Sequence, residues 1–207
     1  MKKSIKILLI IIIILVILVI SSLGMVWFLI SLGNDFKLAD YDYLIDPRIT
    51  EMKDEKMLAV KVEGDPNSKS NKPFASLFEE FYKLKRENKN IVMSPPKGRW
   101  PVDINTPKEE WTGYYGITLP NDIEERDLGN GVKIETWEYG KVAEILHPGS
   151  YANETPTIEK LKKFIEDEGY EIKGDSHEEE YLKGPGMYFK GNEDNYYTVI
   201  RYRVKKK

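Results

Sequence analysis

The sequence has no cysteine and only two histidines, His147 and His177, far apart in the chain. It therefore has no disulfide framework, thiol nucleophile or thiolate metal site, and two distant imidazoles offer no metal-binding spacing. No metal and no cofactor are expected. A surplus of positive charge is also missing, since the formal net charge is −3. Lys2, Lys3 and Lys6 against Asp35 leave the first 35 residues at +2, so the remainder carries −5. An acidic domain with no helix-turn-helix-like stretch argues against nucleic acid as a partner. Lys205, Lys206 and Lys207 read as a solvated tail.

Charge is absent altogether from Ile7 to Leu32, 26 residues broken only by Ser21, Ser22, Gly24 and Ser31. About 20 apolar residues cross a bilayer core, so residues 1–33 are expected to be an N-terminal transmembrane anchor that meets the membrane through residues 7–32. Ser22-Leu23-Gly24 would also suit signal-peptide cleavage. Against that, Met25–Leu32 resumes apolar character with Trp27 and Phe28, and the run is too long for a signal core. Lysines crowd one flank, while Asp35, Asp40, Asp42 and Asp46 follow the other. The positive-inside rule then predicts a single-pass cell-membrane protein whose C-terminal domain is extracytoplasmic. Residues 34–56 are polar and mixed, with Pro47 among them, and read as a tether. Within it Leu38, Tyr41, Tyr43, Leu44 and Ile45 are able to form a short strand or pack on the domain.

Residues 57–207 are expected to form one α+β domain. Its strongest signal is the end of the chain, where Tyr196, Thr198, Ile200, Tyr202 and Val204 alternate with Tyr197, Val199, Arg201 and Arg203. This is strand periodicity, and with Ser176–Leu182 it makes a closing hairpin. Glu178, Glu179 and Glu180 lie on that earlier strand, so at least one carboxylate points inward and needs a partner there.

Earlier in the chain, Met57–Glu63 reads as a strand. Phe74, Leu77, Phe78, Phe81 and Leu84 follow at helical spacing behind Asn71 and Pro73. Proline-rich Met93–Pro107 reads as a loop, Thr112–Leu119 as a strand in which glycines admit a close neighbour, and Pro120–Gly131 as a polar turn. Val132–Tyr139 and Lys141–His147 read as strands. A second amphipathic helix runs from Thr155 as N-cap and Pro156 through Ile158, Leu161, Phe164 and Ile165 to Gly169. The pattern is a tandem β-α-β-β duplication: one antiparallel sheet under two helices, with a groove between the halves. Glutamates such as Glu124, Glu125 and Glu166 read as solvated faces.

The stretch Gly140-Lys141-Val142-Ala143-Glu144-Ile145-Leu146-His147-Pro148-Gly149-Ser150-Tyr151, the helix after it, Glu179-Glu180-Tyr181-Leu182 and the closing strand resemble the GyrI-like (gyrase-inhibitor-like) small-molecule-binding domain. That domain also serves as the effector domain of multidrug-responsive activators. In the family a G-K-hydrophobic-A strand leads to H-x-G-x-Y, and E-x-Y-L precedes the last hairpin. The resemblance covers roughly residues 57–207 and is strongest from 132 onward. It implies an aromatic-lined cleft for a small-molecule ligand, in which Glu179 meets cationic or polar aromatic compounds beside Tyr181 and Tyr151. The triple glutamate leaves Glu180 as the alternative. Trp100, Trp111, Tyr115 and Trp137 add π faces suited to flat or cationic molecules. Some relatives hydrolyse small electrophiles, which would make Glu179 a candidate catalytic base. A third reading is a protein-interaction module whose groove is filled. Family members usually act in the cytosol, often fused to DNA-binding helices, whereas this chain has a membrane segment and no such helices.

Overall fold

The structure, a computed structural model, describes residues 36–65, 71–101, 106–185 and 191–207. The expected anchor, 7–32, lies outside the described residues. Among those that are described, no helix is long and apolar enough to cross a membrane.

Among the described residues nine strands build one antiparallel sheet: β1 (Arg48–Met52), β2 (Glu55–Glu63), β3 (Lys97–Pro101), β4 (Thr112–Leu119), β5 (Arg126–Gly129), β6 (Val132–Trp137), β7 (Gly140–Pro148), β8 (Tyr170–Lys183) and β9 (Tyr197–Lys206). Their order across the sheet is β1-β7-β9-β8-β3-β4-β2-β6-β5. Helix α1 (Asn71–Glu87) follows β2, and α2 (Thr155–Asp167) follows β7. The expected duplication is therefore present as β2-α1-β3-β4 and β7-α2-β8-β9. The halves join where β3 pairs with β8.

Cross-strand partners share a face of a sheet. The registers run one row from Val60 through Tyr115, Gly98, Glu179 and Ile200 to Ile145. Val60 packs in a core with Leu77, Phe81 and Leu84 of α1. Ile145 and Ile200 pack in a second core with Ile158, Leu161 and Ile165 of α2. Both helices thus cover the same face, and Glu179 lies on that face at the seam between them. Leu77, Phe81 and Leu161 are fully buried, and each such side chain contributes about 1.5–3 kcal/mol of hydrophobic stabilisation.

The next row over faces the other way and alternates in charge: Arg48, Glu144, Arg201, Glu178, Arg99. Arg48 and Arg201 clasp the two oxygens of Glu144, both at 2.7 Å. Arg201 also reaches Glu180 at 2.6 Å and Glu178 at 3.4 Å, and Arg99 reaches Glu178 at 3.2 Å. Burial works against the Arg201 charge, but Glu180, Glu178 and Glu144 more than reverse that and raise its pKa. The pairing offsets the cost of placing these charges out of water.

Four local expectations change. Lys97–Pro101 is a central strand, not loop; its hydrophobic alternation is hidden because Lys97 and Arg99 face the charged row and Gly98 has no side chain. Arg126–Gly129, inside the expected turn, forms an edge strand. Within the expected tether, Arg48–Met52 pairs with β7, a 3-10 helix spans Leu38–Leu44, and Leu44 is fully buried against Leu146 and Val199. Finally, Thr155 is the first residue of α2, not its cap. The 3-10 turn Tyr151–Asn153 leads straight into the helix, so Glu154 at φ −71° and ψ −24° is already helical and makes no side-chain cap.

Candidate functional site

The helix-side surface of the seam is assembled from β3, β4, β8 and the turn before α2. Glu179 is 9% exposed, and both of its oxygens are engaged. The Tyr181 hydroxyl donates to Oε2 at 2.8 Å, and the Trp100 indole N–H donates in turn to the Tyr181 oxygen at 3.0 Å. His177 Nε2 lies 3.0 Å from Oε1, while its Nδ1 faces the Pro101 carbonyl at 3.1 Å. Residues 177, 179 and 181 point the same way because side chains alternate along a strand.

Aromatic rings pack around this carboxylate. Tyr181 lies between Tyr151, with ring centroids 5.5 Å apart, and Tyr115, at 6.3 Å. Trp100 meets the edge of Tyr115 at 5.1 Å and lies 6.1 Å from Trp111, whose indole N–H donates to the Thr106 carbonyl at 2.8 Å. Phe74 of α1 closes on Tyr115 at 4.5 Å. Glycines make the room: a methyl group on Gly98 would come to 2.6 Å from the Tyr181 hydroxyl and 2.7 Å from Trp100 Nε1, and one on Gly113 would overlap the Trp100 ring. This is the close approach expected of glycine in β4.

Burial, then the Glu179 charge, raises the Tyr181 pKa well above its ordinary 10. Burial followed by Glu154 and Glu179 raises that of Tyr151. Both phenols therefore stay protonated as hydrogen-bond donors. The result is a buried carboxylate held in place by its hydrogen bonds and surrounded by aromatic rings.

Of the residues singled out in the sequence, Glu179, Tyr181, Tyr151, Trp100, Tyr115 and Trp111 come together here. Glu180 does not, because it faces the other way toward Arg201. Trp137 also lies on the opposite face: it packs with Met57 and Tyr139, and the Arg99 guanidinium sits 4.2 Å above its ring. The reason is register, since Trp137 pairs with Glu55, one residue out of phase with the Val60 row. His177 joins this group, although the sequence did not single it out for the site. Its spacing of two from Glu179 was the signal that put it on the same face.

The sequence matches the profile of the GyrI-like small molecule binding domain over residues 45–205. Among solved structures, an uncharacterized conserved protein from Listeria innocua is similar at 20% identity and TM-score 0.69, over 82% of this chain and 97% of that one. A hydrolase from Listeria innocua is similar at 18% identity and TM-score 0.66, over 82% and 96%. The C-terminal domain of EcmrR is similar at 13% identity and TM-score 0.57, over 78% and 98%. At these identities the likeness is one of fold. No curated protein matches the chain.

Proposed function

Because the chain belongs to the family of GyrI-like small molecule binding domains, we propose that the Glu179 cleft takes flat, lipophilic molecules carrying a cationic or hydrogen-bonding edge. The observation that supports this most is a buried carboxylate at the seam of the two halves, oriented by Tyr181 and walled by Trp100, Tyr115 and Tyr151. Apolar rings supply contact area, and the carboxylate supplies the choice of charge. A desolvated cation–π contact is worth up to about 2 kcal/mol and a charge-assisted hydrogen bond about 1.5–3 kcal/mol. Together they sustain roughly micromolar binding after association costs. The apolar run 7–32 supports a further proposal, that the domain is held at a membrane as a single-pass protein.

The test is displacement of a fluorescent dye from the purified full-length protein by cationic and neutral aromatic compounds. Glu179→Gln is expected to weaken cations by about tenfold or more and spare neutral compounds, while Glu180→Gln leaves both unchanged. Equal loss for both classes in Glu179→Gln would make Glu179 a structural residue. Failure of every compound to displace a dye would point instead to a groove that engages a protein.

The pairing of Glu179 with the proton donor Tyr181 at 2.8 Å also supports a second reading. A carboxylate that activates water beside an acid is what hydrolysis of a small electrophile requires. Turnover of a reactive ester by the unaltered protein, absent in Glu179→Gln, would establish it.

A further inference from the structure

The charge that Glu179 presents to a ligand is set by the residue two places before it, an inference that rests on the cleft reading above. His177 is 3% exposed. Its Nδ1 lies 3.1 Å from the Pro101 carbonyl oxygen, which only accepts, so Nδ1 carries a hydrogen. Its Nε2 lies 3.0 Å from Glu179 Oε1. Two bare acceptors at that separation repel, so a proton lies between them. Whichever atom holds it, His177 and Glu179 together carry no net charge. We propose that His177 determines the charge preference of the cleft as the resident counter-ion of Glu179, so that a cation pairs with the carboxylate only as the shared proton leaves to solvent.

The titratable or charged groups facing the pair come from every element around it. Among the described residues they are Tyr181 on β8, Tyr115 on β4, Tyr202 on β9 with its ring 5.6 Å from His177, His147 on β7, and Tyr151 and Glu154 before α2. Strand β3 contributes only the Trp100 N–H and the Pro101 carbonyl, and α1 contributes Phe74. Burial pushes the Tyr181, Tyr151 and Tyr202 phenols above their ordinary range and lowers the His147 imidazole. Linkage then fixes the behaviour. If binding a cation releases one proton, its affinity rises by up to about tenfold per pH unit, whereas that of a neutral ligand does not change.

The test uses N-methylquinolinium, whose charge does not titrate, and neutral 1-methylnaphthalene, each added to the full chain in detergent between pH 5 and 8. Calorimetry in two buffers of different ionisation enthalpy counts the protons. The expected result is release approaching one proton for the cation and none for the neutral probe. His177→Gln keeps a donor toward Oε1 but has no titratable proton, so it should abolish the release and flatten the pH profile. Glu154→Gln should retain both. Cation binding without proton release overturns the proposal and leaves the cleft reading standing, as does loss of the release in Glu154→Gln. Binding of neither probe overturns the cleft reading and this proposal with it. The proton count on the unaltered protein decides the matter even if His177→Gln does not fold.

Discussion

Gly98 and Tyr181 stand so close that a single methyl group at residue 98 would come to 2.6 Å from the Tyr181 hydroxyl. Gly98 pairs across the seam with Glu179, and the same methyl would press on Trp100 Nε1. The chain Trp100 to Tyr181 to Glu179 therefore depends on an absent side chain. Gly98→Ala is expected to push the Tyr181 hydroxyl off Glu179 and weaken any cleft ligand by about tenfold or more. Overpacking of this kind costs about 1–3 kcal/mol, so a circular-dichroism melt should still show a folded protein. Unchanged ligand affinity in a folded Gly98→Ala protein would show that the hydroxyl does not hold the carboxylate for binding.

Trp137 offers the complementary test, because it lies on the opposite face of the sheet from Glu179, with Arg99 at 4.2 Å above its ring. It is 3% exposed, packs against Met57 and Tyr139, and donates to Glu135 at 2.8 Å. Trp137→Ala is expected to cost about 3–5 kcal/mol of stability, the usual range for a buried tryptophan, and to leave dye affinity unchanged in the folded fraction. The mirror result, lost affinity at full stability, would place Trp137 among the ligand-binding residues after all. Denaturant unfolding and dye titration on the same sample separate the two.

Most of the architecture could be read from periodicity, because the two helices and the strands β2, β4, β7 and β9 bury apolar side chains in regular rows. What escaped lay where those rows carry something other than apolar groups. Strand β3 reads Lys-Gly-Arg-Trp-Pro, with its charges buried against Glu55 and Glu178, and no hydropathy pattern marks it. The cleft was legible in part for the same reason. Strand period showed that a carboxylate among residues 178–180 points inward and the resemblance to the GyrI-like domain implied Glu179, Tyr181 and Tyr151, but the choice between Glu179 and Glu180 needed the β3–β8 register. The distribution of tryptophans between the two faces is likewise a property of strand pairing, which sequence spacing within one strand does not carry.

Membrane topology is open to direct measurement. Ile7–Leu32 is uncharged, with Lys2, Lys3 and Lys6 before it and four aspartates soon after, so the folded domain is expected outside the cytoplasm. Protease added to intact cells should digest the domain. Protection until lysis would reverse the orientation, and recovery of the protein in the soluble fraction without its first 24 or so residues would favour cleavage over anchoring.

The last prediction concerns acid stability and follows from His147. It is 3% exposed and fully bonded as a neutral ring: Nε2 faces the Ser150 carbonyl at 3.2 Å, so it carries the hydrogen, and Nδ1 accepts from the Thr157 hydroxyl at 2.9 Å. Burial is the largest influence on it and lowers its pKa from the ordinary 6.5, outweighing the opposing effects of the Ser150 carbonyl and the Glu179 charge. Between the lowered folded value and 6.5 the unfolded chain holds a proton that the folded one excludes, so the unfolded state gains as pH falls. Stability should therefore be level above 6.5, decline as pH drops through 6.5, and stop declining from this source below the folded value. The slope is at most about 1.4 kcal/mol per pH unit. Substituting His147 by Gln lowers stability at pH 8, because the Thr157 and Ser150 bonds are disturbed, but should remove its share of the acid slope. An unaltered slope in His147→Gln, measured by urea unfolding from pH 8 to 5, would assign the acid sensitivity to other groups.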